Sequence, residues 1–437
     1  MPAVPEEVIV HLCSLPSLAA IPAVSFSPEV EAIIQQFSQV FEPLSSLPPE
    51  RSCDHAIPLV PGAKVVSIRP YRYPPALKDE IERQVADMLA KGIIQPSQSS
   101  FSSPILLVKK KSGARRFYIG YRYLNALTLK SKFPIPVFEE LMDELASAQW
   151  FSTLDLDFGY HQIRMKKGDE FKTAFQTHFG HFEFKVVAFG LCGVPGTFQG
   201  AMNSTLAPLL RKCVLVFFDD ILVYSPSFEE HLCHLRQVLL LLAKDKWQVK
   251  LSKCSFAQQQ LAYFEHIISG QGVATDPAKI SAIVDWPVPS SVNELRSFLG
   301  LAGYYRKFVK HFAVIAKPLI SLLKKQVLFV WTQEHDAAFQ LLKQALVSAP
   351  VLAIPDFPKT FCIETDASNS GVGAVLLQQG HPLVFIRKPL GPKTRGLSTY
   401  EKEYLAILIA VDQWGAYLQQ AEFVIYTDKK SLVFLNE

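Results

Sequence analysis

The sequence predicts an α+β chain of about three domains, since its 437 residues exceed what one domain usually holds. Hydrophobic residues make up 49% of the chain, with 31 Phe, so several buried cores are available and a disordered chain is excluded. From about residue 150 the predicted elements follow the order strand, helix, strand pair, helix. This order favours a sheet with helices on one face.

The N-terminal part predicts little regular structure before residue 50. Residues 1–50 have clusters of Pro, Ser and Ala and are interpreted as a tether, in which Glu29 to Phe41 could form one amphipathic helix. Between Leu77 and Lys91, apolar residues recur at helical spacing, and Gly92 follows as a C-cap. The sequence therefore predicts a helix with one buried face.

A basic hairpin is predicted next, from "SPILLVKKKSGARRFYIGYR". Two strand-like runs flank a turn at Ser112-Gly113, and five cations crowd its tip: Lys109, Lys110, Lys111, Arg115 and Arg116. Most charge runs are solvated loops, whereas a phosphate clamp would use the same residues. The stretch by itself leaves both interpretations open.

The remaining elements are predicted in chain order from periodicity and caps. They are a helix in "PVFEELMDELASA", a strand and turn in "WFSTLDLDFGYHQI", a strand pair at 214–224, a helix at 228–245, a helical region at 270–330, two strands in "FCIETDASNSGVGAVLLQ", a capped helix in "STYEKEYLAILIAVDQW" and a strand ending in Asp428.

Composition excludes several classes of protein. The net charge of +4 is too small for a globally basic nucleic-acid coat, although a local basic groove is compatible with it. The seven cysteines are dispersed without a C-x-x-C pair, which favours reduced thiols in an intracellular protein. His231, Cys233 and His234 resemble a zinc cluster, but their helical context and the missing second ligand group disfavour zinc. No signal peptide or membrane span is predicted, so we expect a soluble protein.

Asp219 and Asp220 stand between two apolar runs in "VLVFFDDILVYS". An ordinary polar turn is the simpler interpretation, since Asp is common in turns. However, hairpin turns favour Asn-Gly or Asp-Gly, and two carboxylates about 4 Å apart repel by roughly 4 kcal/mol at an effective dielectric of 20. A divalent cation would offset that repulsion. Asp155 ends another apolar strand, so the three acids together predict a two-metal site.

At this point the sequence resembles the reverse transcriptase and RNase H region of gypsy-type LTR retrotransposon polyproteins, with plant members as the nearest. The resemblance runs from about Cys53 to the end and rests on separated motifs in the family's order. They include "FSSPILLVKKKSG", "FSTLDLDFGYHQIRM", "KTAFQTHFGHFEFKVVAFGL", "VFFDDILVYS", "LSKCSF" and "LRSFLGLAGYYRKF".

The resemblance implies a right-hand polymerase of fingers, palm and thumb, followed by a truncated RNase H-like α/β domain. The implied domains are a tether at 1–50, fingers and palm at 51–268, a thumb at 269–330 and a C-terminally incomplete RNase H-like domain at 331–437. The implied activity is RNA-directed DNA synthesis with two Mg²⁺ ions. The implied partners are primed RNA or DNA templates, dNTPs and RNA–DNA hybrid, in a cytoplasmic particle with access to the nucleus.

The resemblance also implies roles for single residues. Asp155, Asp219 and Asp220 would bind the metals, and Lys110 and Arg116 would hold the triphosphate. Tyr160 would exclude a 2′-hydroxyl, Phe189, Gly190 and Phe217 would line the nucleotide pocket, and Phe264 and His266 would grip the primer. In the RNase H-like domain, Asp366, Glu403 and Asp428 would bind Mg²⁺, although three surface acids are the simpler interpretation of their spacing alone. Because the chain stops nine residues after Asp428 (437 − 428), RNase H activity is expected to be impaired.

Several positions depart from the family's pattern. Phe217 replaces a Tyr, Gly120 an Asp, and Asp157 a residue that is usually basic. Further replacements are Arg115 for Trp, Ala188 for Pro, Glu265 for Gly and Lys429 for His. They support an alternative hypothesis, a decayed element that binds primer–template without efficient catalysis. A stand-alone ribonuclease is a third and weaker hypothesis.

Overall fold

In this computed structural model, the structure describes residues 26–44, 46–109, 113, 115–324, 327–368, 371–419 and 422–427, with only the backbone described at 392 and 393. The N-terminal part holds α1 (Pro28–Gln36), α2 (Pro75–Ala90), β1 (Ile94–Pro96), β2 (Ile105–Lys109), β3 (Arg115–Ile119), α3 (Arg122–Leu127) and α4 (Phe138–Asp143), with a 3₁₀ turn at Ser38–Val40.

The interpretation of residues 1–50 as a tether is wrong for the part that the structure describes. Ser27 caps α1, and Val30 and Ile33 are buried in the same hydrophobic cluster as the central sheet. The helix ends at Gln36, earlier than expected, and Val40 continues the buried stripe. A short apolar stripe is enough to dock this segment, because it finds a partner surface on α6 (Phe228–Lys244).

The predicted hairpin and the helix before it are confirmed. α2 ends at Ala90, and Gly92 follows in the left-handed conformation. β2 pairs with β3 from Ile105↔Ile119 to Lys109↔Arg115, so Lys109 and Arg115 stand opposite each other at the described end of the hairpin. The helix predicted in "PVFEELMDELASA" is shorter than expected, since α4 covers only Phe138–Asp143.

The central part is built around one antiparallel sheet. Its elements are β4 (Trp150–Asp155), β5 (Phe175–Gln176), β6 (His181–Phe184), α5 (Val194–Leu206), β7 (Val214–Phe217), β8 (Asp220–Ser225), α6 and β9 (Ser255–Gln258), with 3₁₀ turns at Gly159–Gln162, Glu170–Thr173 and Leu251–Lys253. The described strands of this sheet, which we call the palm sheet, have the order β7-β8-β4-β9.

Burial on both faces explains the two continuous apolar runs around Asp219 and Asp220. Val214, Val216, Ile221 and Val223 face one hydrophobic cluster, whereas Leu215, Leu222 and Tyr224 face another. Successive side chains of a strand point to opposite faces, so a strand between two cores is apolar throughout.

The next part packs on the second face of the palm sheet. It contains β10 (Gln260–Tyr263), β11 (His266–Ser269), β12 (Gly272–Thr275), α7 (Pro277–Val284), α8 (Val292–Tyr304), α9 (Phe312–Ile315), α10 (Lys317–Ser321) and α11 (Gln333–Val347), with a 3₁₀ turn at Arg306–Phe308. The region 270–330 is mostly helical, as predicted, but it begins with β12. Ser291 caps α8 by accepting from the Glu294 amide, which confirms that helix start.

The C-terminal part is a separate α/β unit. It contains β13 (Phe361–Ala367), β14 (Gly371–Gln378), β15 (His381–Pro389), α12 (Pro392–Arg395), α13 (Thr399–Gln413), α14 (Gly415–Leu418) and β16 (Phe423–Tyr426). Its described strands have the order β15-β14-β13-β16, with β16 parallel to β13. The predicted cap of α13 is confirmed by reciprocal bonds between Ser398 and Glu401. No helix in the described ranges is long and apolar enough to cross a bilayer.

Candidate functional site

Two of the three predicted polymerase carboxylates are direct cross-strand neighbours. Asp155 ends β4 and pairs with Asp220, the first residue of β8. Side chains of such a pair stand on the same face of the sheet with their Cβ atoms about 5 Å apart. Asp219 belongs to the two-residue turn between β7 and β8, beside Asp220. The fold therefore brings the three acids to one end of the palm sheet.

The turn that carries Asp219 has an unusual backbone. Phe218 has φ +55, a left-handed conformation that L-residues with large side chains rarely adopt. Across from it, Gly159 leaves room for the turn, because a Cβ there would lie 3.3 Å from the Cβ of Asp219 and 3.2 Å from the Phe198 ring. The sequence places a Gly where the acid must approach.

Burial disfavours the ionised form of Asp219 and Asp220. It raises the pKa of Asp219, and the nearby charge of Asp155 acts in the same direction. Burial, together with the charges of Asp219 and Asp155, raises the pKa of Asp220 to about 6. A bound cation would remove this penalty, because it favours the ionised carboxylates.

Lys253 now partly fills the role of that cation. Its Nζ lies 3.0 Å and 2.9 Å from the two carboxylate oxygens of Asp155. In the part of the chain that the structure describes, no group of three His, Cys, Asp or Glu side chains is gathered closely enough to hold a metal ion. The donor set still fits magnesium, which prefers carboxylate oxygens, but Asp155 must release Lys253 to join it.

A cavity of about 440 Å³ opens beside the acids, between the palm sheet and the β2–β3 hairpin. Asp155 and Asp219 form part of its wall, and several cations form another part. The cationic lining residues are Arg83, Lys91, Arg115, Arg116, Lys250 and Lys253. Such a cavity has the charge pattern for a phosphorylated ligand with its metal ions.

Of the predicted nucleotide-pocket residues, Arg116 and Phe189 line this cavity, and Tyr160 packs against Phe189 beside it. The Arg116 guanidinium lies 5.5 Å from the centroid of the Phe189 ring, and the Tyr160 ring lies 5.4 Å from the same ring. Gly190 has φ +105, and a Cβ there would lie 2.7 Å from the carbonyl oxygen of Ile119, so only Gly fits. Lys110, predicted as the second phosphate ligand, lies outside the described residues.

The two residues predicted to grip the primer differ in their exposure to solvent. Phe264 is half-buried in the β10–β11 turn, and its ring lies 4.8 Å from that of Phe217. His266, by contrast, is 1% exposed and stacks on Phe138. The prediction that His266 contacts nucleic acid is therefore wrong for this conformation, since hydrophobic packing covers it. Tyr304 and Tyr305 instead hold the turn by donating to the carbonyls of Phe264 and Glu265.

The structure shows the environment of three residues that depart from the family's pattern. Phe217 packs its ring against Phe218 and Phe264, so the ring contact is kept without a hydroxyl. Asp157 is buried, and Lys250 Nζ lies 3.8 Å from its carboxylate. Glu265 has φ +61, which explains why Gly suits this position better.

Sequence reasoning missed two lysines and two glutamines near the acids. Lys250 and Lys253 line the cavity, and their spacing of three in "KLSK" is a weak signal for one face. Gln199 is buried beside the turn that carries Asp219, and Gln162 is buried beside the segment that follows Asp155. A polar residue on the apolar face of α5 is the one sequence signal for Gln199.

The second predicted site is less compact. Asp366 is exposed on β13 and lines a cavity of about 530 Å³, together with Lys310 and His311 from the preceding helical part. Glu403 lies on α13, is 4% exposed and does not line that cavity. Asp428 and Lys429 lie outside the described residues. Among the described residues, Asp366 and Glu403 therefore do not line this cavity together.

The zinc hypothesis is disfavoured by the surroundings of His231. His231 is buried and shares hydrogen bonds with Ser152 (2.6 Å) and Ser225 (3.0 Å), which also contacts His234 (2.7 Å). The cysteines among the described residues are free thiols. The cluster is thus a packing network between α6 and the palm sheet.

Comparison with known structures supports the fold. The foamy viral protease-reverse transcriptase in complex with double-stranded DNA matches with a TM-score of 0.86 and 20% identity, covering 95% of this chain and 88% of that one. The same viral protein in complex with an RNA/DNA hybrid matches with a TM-score of 0.79 and 20% identity, covering 93% and 56%. The predicted fold class, a polymerase hand followed by an RNase H-like domain, is confirmed.

Comparison of sequences finds relatives with higher identity than the solved structures have. The retrovirus-related Pol polyprotein from transposon 297 of Drosophila melanogaster is 42% identical over 364 residues, covering 82% of this chain and 34% of that protein. The Pol polyprotein from transposon gypsy of the same organism is 36% identical, covering 82% and 36%. The Tf2-3 polyprotein of Schizosaccharomyces pombe is 33% identical, covering 93% and 31%. The chain thus spans about a third of the length of these relatives.

Two family models match successive parts of the chain. Residues 108–268 match the model described as reverse transcriptase (RNA-dependent DNA polymerase). Residues 331–425 match the model described as the RNase H-like domain found in reverse transcriptase. The chain therefore belongs to the reverse transcriptase family and carries a reverse transcriptase region followed by an RNase H-like domain, as in retrotransposon Pol polyproteins.

Proposed function

We propose that the chain is an RNA-directed DNA polymerase that uses two Mg²⁺ ions to extend a primer on an RNA or DNA template. The carrying observation is the pairing of Asp155 with Asp220, with Asp219 beside them at the wall of a cation-lined cavity. In the reaction, the primer 3′-oxygen forms a bond to the α-phosphorus of a dNTP while the bond to pyrophosphate breaks. Bound Mg²⁺ would supply activation of the 3′-hydroxyl and charge stabilisation of the leaving pyrophosphate.

The chain's own residues bind and orient the reactants. Asp155, Asp219 and Asp220 hold the cations, which requires Asp155 to exchange its ion pair with Lys253 for a metal. Arg116 binds the triphosphate at the cavity wall, and Tyr160 blocks a 2′-hydroxyl beside the Phe189 ring. Phe264 supports the primer end next to Phe217. The RNase H-like domain would act on RNA paired with DNA through Asp366, Glu403 and Asp428.

The domain limits and cellular location belong to the same proposal. Fingers and palm would extend over 51–268, the thumb over 269–330 and the RNase H-like domain over 331–437. An intracellular site, in a cytoplasmic particle with nuclear access, would suit an element that copies RNA into DNA. The resemblance to plant members of the family stays a prediction.

The alternative is a protein that binds primer–template without efficient turnover. The ion pair between Lys253 and Asp155 favours it, because a metal must displace that lysine. Phe217 favours it as well, since a hydroxyl that could reach the template or primer is missing.

Primer extension on poly(rA)·oligo(dT) with dTTP and Mg²⁺ tests the proposal. We expect incorporation by the wild type and a loss of at least about 100-fold in Asp219→Asn, because a metal ligand is removed. Asp412→Asn, an exposed change on α13, is the matched control and should leave incorporation unchanged. Duplex binding, measured by fluorescence anisotropy, should persist in all three. Binding without incorporation by the wild type would overturn the polymerase proposal and support the alternative.

A further inference from the structure

Two buried glutamines lie next to the polymerase acids, one beside the turn that carries Asp219 and one beside the segment that follows Asp155. Gln199 lies on α5, and Gln162 ends the 3₁₀ turn after β4. Each is 1% exposed, and buried glutamine is uncommon, because its amide must find partners inside the protein. Their hydrogen bonds show what each of them holds.

Gln199 makes hydrogen bonds to the backbone of β7 and of the turn that carries Asp219. Its Oε1 accepts a hydrogen bond from the Phe218 amide at 2.8 Å. Its Nε2 donates to the carbonyl of Val216 at 3.0 Å and to the side chain of Asn203 at 2.9 Å. The glutamine therefore links Val216 in β7 to Phe218, the residue that directly precedes Asp219.

Gln162 holds the segment after Asp155 in the same manner. Its Nε2 donates to the carbonyls of Asp157 and Gln248, both at 2.7 Å, and its Oε1 accepts from the Gln248 amide at 2.8 Å. The segment around Gln248 is joined to β4, because the Lys250 amide donates to the carbonyl of Asp155 at 2.8 Å. Gln162 thus links the residues that follow β4 to the segment that carries Lys250 and Lys253.

Both glutamines lie next to a left-handed phenylalanine. Phe218 has φ +55 and Phe158 has φ +49. A non-glycine residue in this conformation costs roughly 1–2 kcal/mol and persists only where the surroundings fix it. Gln199 bonds the amide of Phe218 itself, and Gln162 bonds the carbonyl of Asp157, directly before Phe158, so each glutamine helps to fix its strained residue.

We propose that Gln199 and Gln162 are positioning residues: Gln199 holds the strained turn that carries Asp219, and Gln162 holds the strained segment that follows Asp155. The inference rests on the proposed function for its catalytic consequence, but the hydrogen bonds can be tested without it. Gln199 sets the direction of Asp219 and Asp220, and Gln162 sets the end of β4 with Asp155.

Hydrogen–deuterium exchange of the full chain tests the first step. In Gln199→Met, which keeps the length and removes the bonds, the Phe218 amide should exchange about tenfold faster, as expected for the loss of one hydrogen bond. Gln199→Glu keeps the accepting oxygen and should keep that amide protected. Gln162→Met should expose the Gln248 amide instead. Gln340→Met, an exposed change on α11, is the matched control and should alter neither. Unchanged exchange at Phe218 in Gln199→Met would overturn the proposal.

Steady-state primer extension tests the catalytic consequence. We expect Gln199→Met to lower kcat by about 10- to 100-fold with the KM for dTTP within about threefold, because misplaced acids affect the reaction more than nucleotide binding. Adding Phe218→Gly should recover at least about threefold in kcat, since glycine adopts positive φ without strain. A merely structural defect would not be rescued by glycine. A double variant no better than Gln199→Met would overturn the role in holding strain.

Mn²⁺ binding, followed by electron paramagnetic resonance, separates the two proposals. If the wild type binds Mn²⁺ no better than Asp219→Asn, the two-metal function fails, whatever the exchange data show. If the wild type binds Mn²⁺ and Gln199→Met binds it equally well with unchanged kcat, the positioning role fails while the polymerase proposal stands. Weaker binding in Gln199→Met than in Gln340→Met supports both.

Discussion

The polymerase acids and the RNase H-like acids reach their places by different routes. Asp155 and Asp220 are paired by the register of one sheet, and Asp219 is the next residue along the chain. Asp366 and Glu403 come from a strand and a helix, so their meeting depends on how α13 packs on β13. A site set by strand register is largely complete within the palm sheet, whereas the other site needs several elements in place.

The two regions also differ in the electrostatic environment of their acids. Burial and neighbouring charges raise the pKa of Asp220 to about 6, whereas Asp366 is exposed to solvent. In the polymerase region the ionised form of Asp220 is therefore unfavourable, and a bound cation would stabilise it. The difference teaches that backbone strain at Phe218 and a raised carboxyl pKa occur together at the polymerase acids.

The largest predicted effect would separate the two sites by function. Asp366→Asn should remove any cleavage of RNA in an RNA–DNA hybrid by at least about 100-fold, because it removes a metal ligand. The same variant should keep primer extension within about twofold, since Asp366 lies outside the palm sheet. Asp219→Asn should show the reverse pattern. Cleavage of a labelled hybrid and primer extension, measured on the same preparations, check both. Loss of both activities in Asp366→Asn would mean that the two regions act as one unit.

The polymerase site was the more predictable of the two from sequence. Two apolar runs around Asp219 and Asp220 predict a buried hairpin, and Asp155 at the end of another apolar run predicts a third acid. These signals are local, with periods of a few residues. The pairing of Asp155 with Asp220, the burial of His266 and the contacts of Gln162 and Gln199 depend on tertiary packing, which single-sequence patterns do not encode. The docking of α1 escaped prediction for the same reason.

A smaller predicted effect tests whether the buried carboxylate of Asp220 destabilises the folded protein. A carboxyl whose pKa is raised in the folded state binds its proton more tightly there than in the unfolded chain, so the protein loses stability as pH rises above about 4 and bears the full penalty above about 6. Asp220→Asn should therefore stabilise the metal-free protein at pH 7.5 by about 1–2 kcal/mol, after discount for solvent screening, and by much less at pH 4.5.

Urea unfolding in EDTA, followed by circular dichroism at both pH values, checks this. Burial also raises the pKa of Asp143 to about 6, so the difference between variant and wild type is the informative quantity rather than the pH profile of the wild type alone. Asp366→Asn is the matched control at an exposed acid and should change stability by less than about 0.5 kcal/mol. Equal gains in Asp220→Asn at the two pH values would show that the buried carboxylate is not the cause.

The smallest predicted effect concerns backbone strain near the polymerase acids. The β10–β11 turn needs positive φ at both of its residues, Phe264 (φ +46) and Glu265 (φ +61). Glu265→Gly should stabilise the protein by about 0.5–1 kcal/mol, because glycine adopts this conformation freely and the exposed ion pair that Glu265 makes with Lys279 contributes little. Glu265→Ala removes the same ion pair but keeps the strain, so it should give no gain. Urea unfolding of the two variants isolates the backbone contribution. In the RNase H-like part that the structure describes, Gln379 (φ +51) alone among non-glycine residues has positive φ, and Gln379→Gly should bring a similar gain there. If Glu265→Gly proved no more stable than Glu265→Ala, positive φ at Glu265 would not destabilise the folded protein.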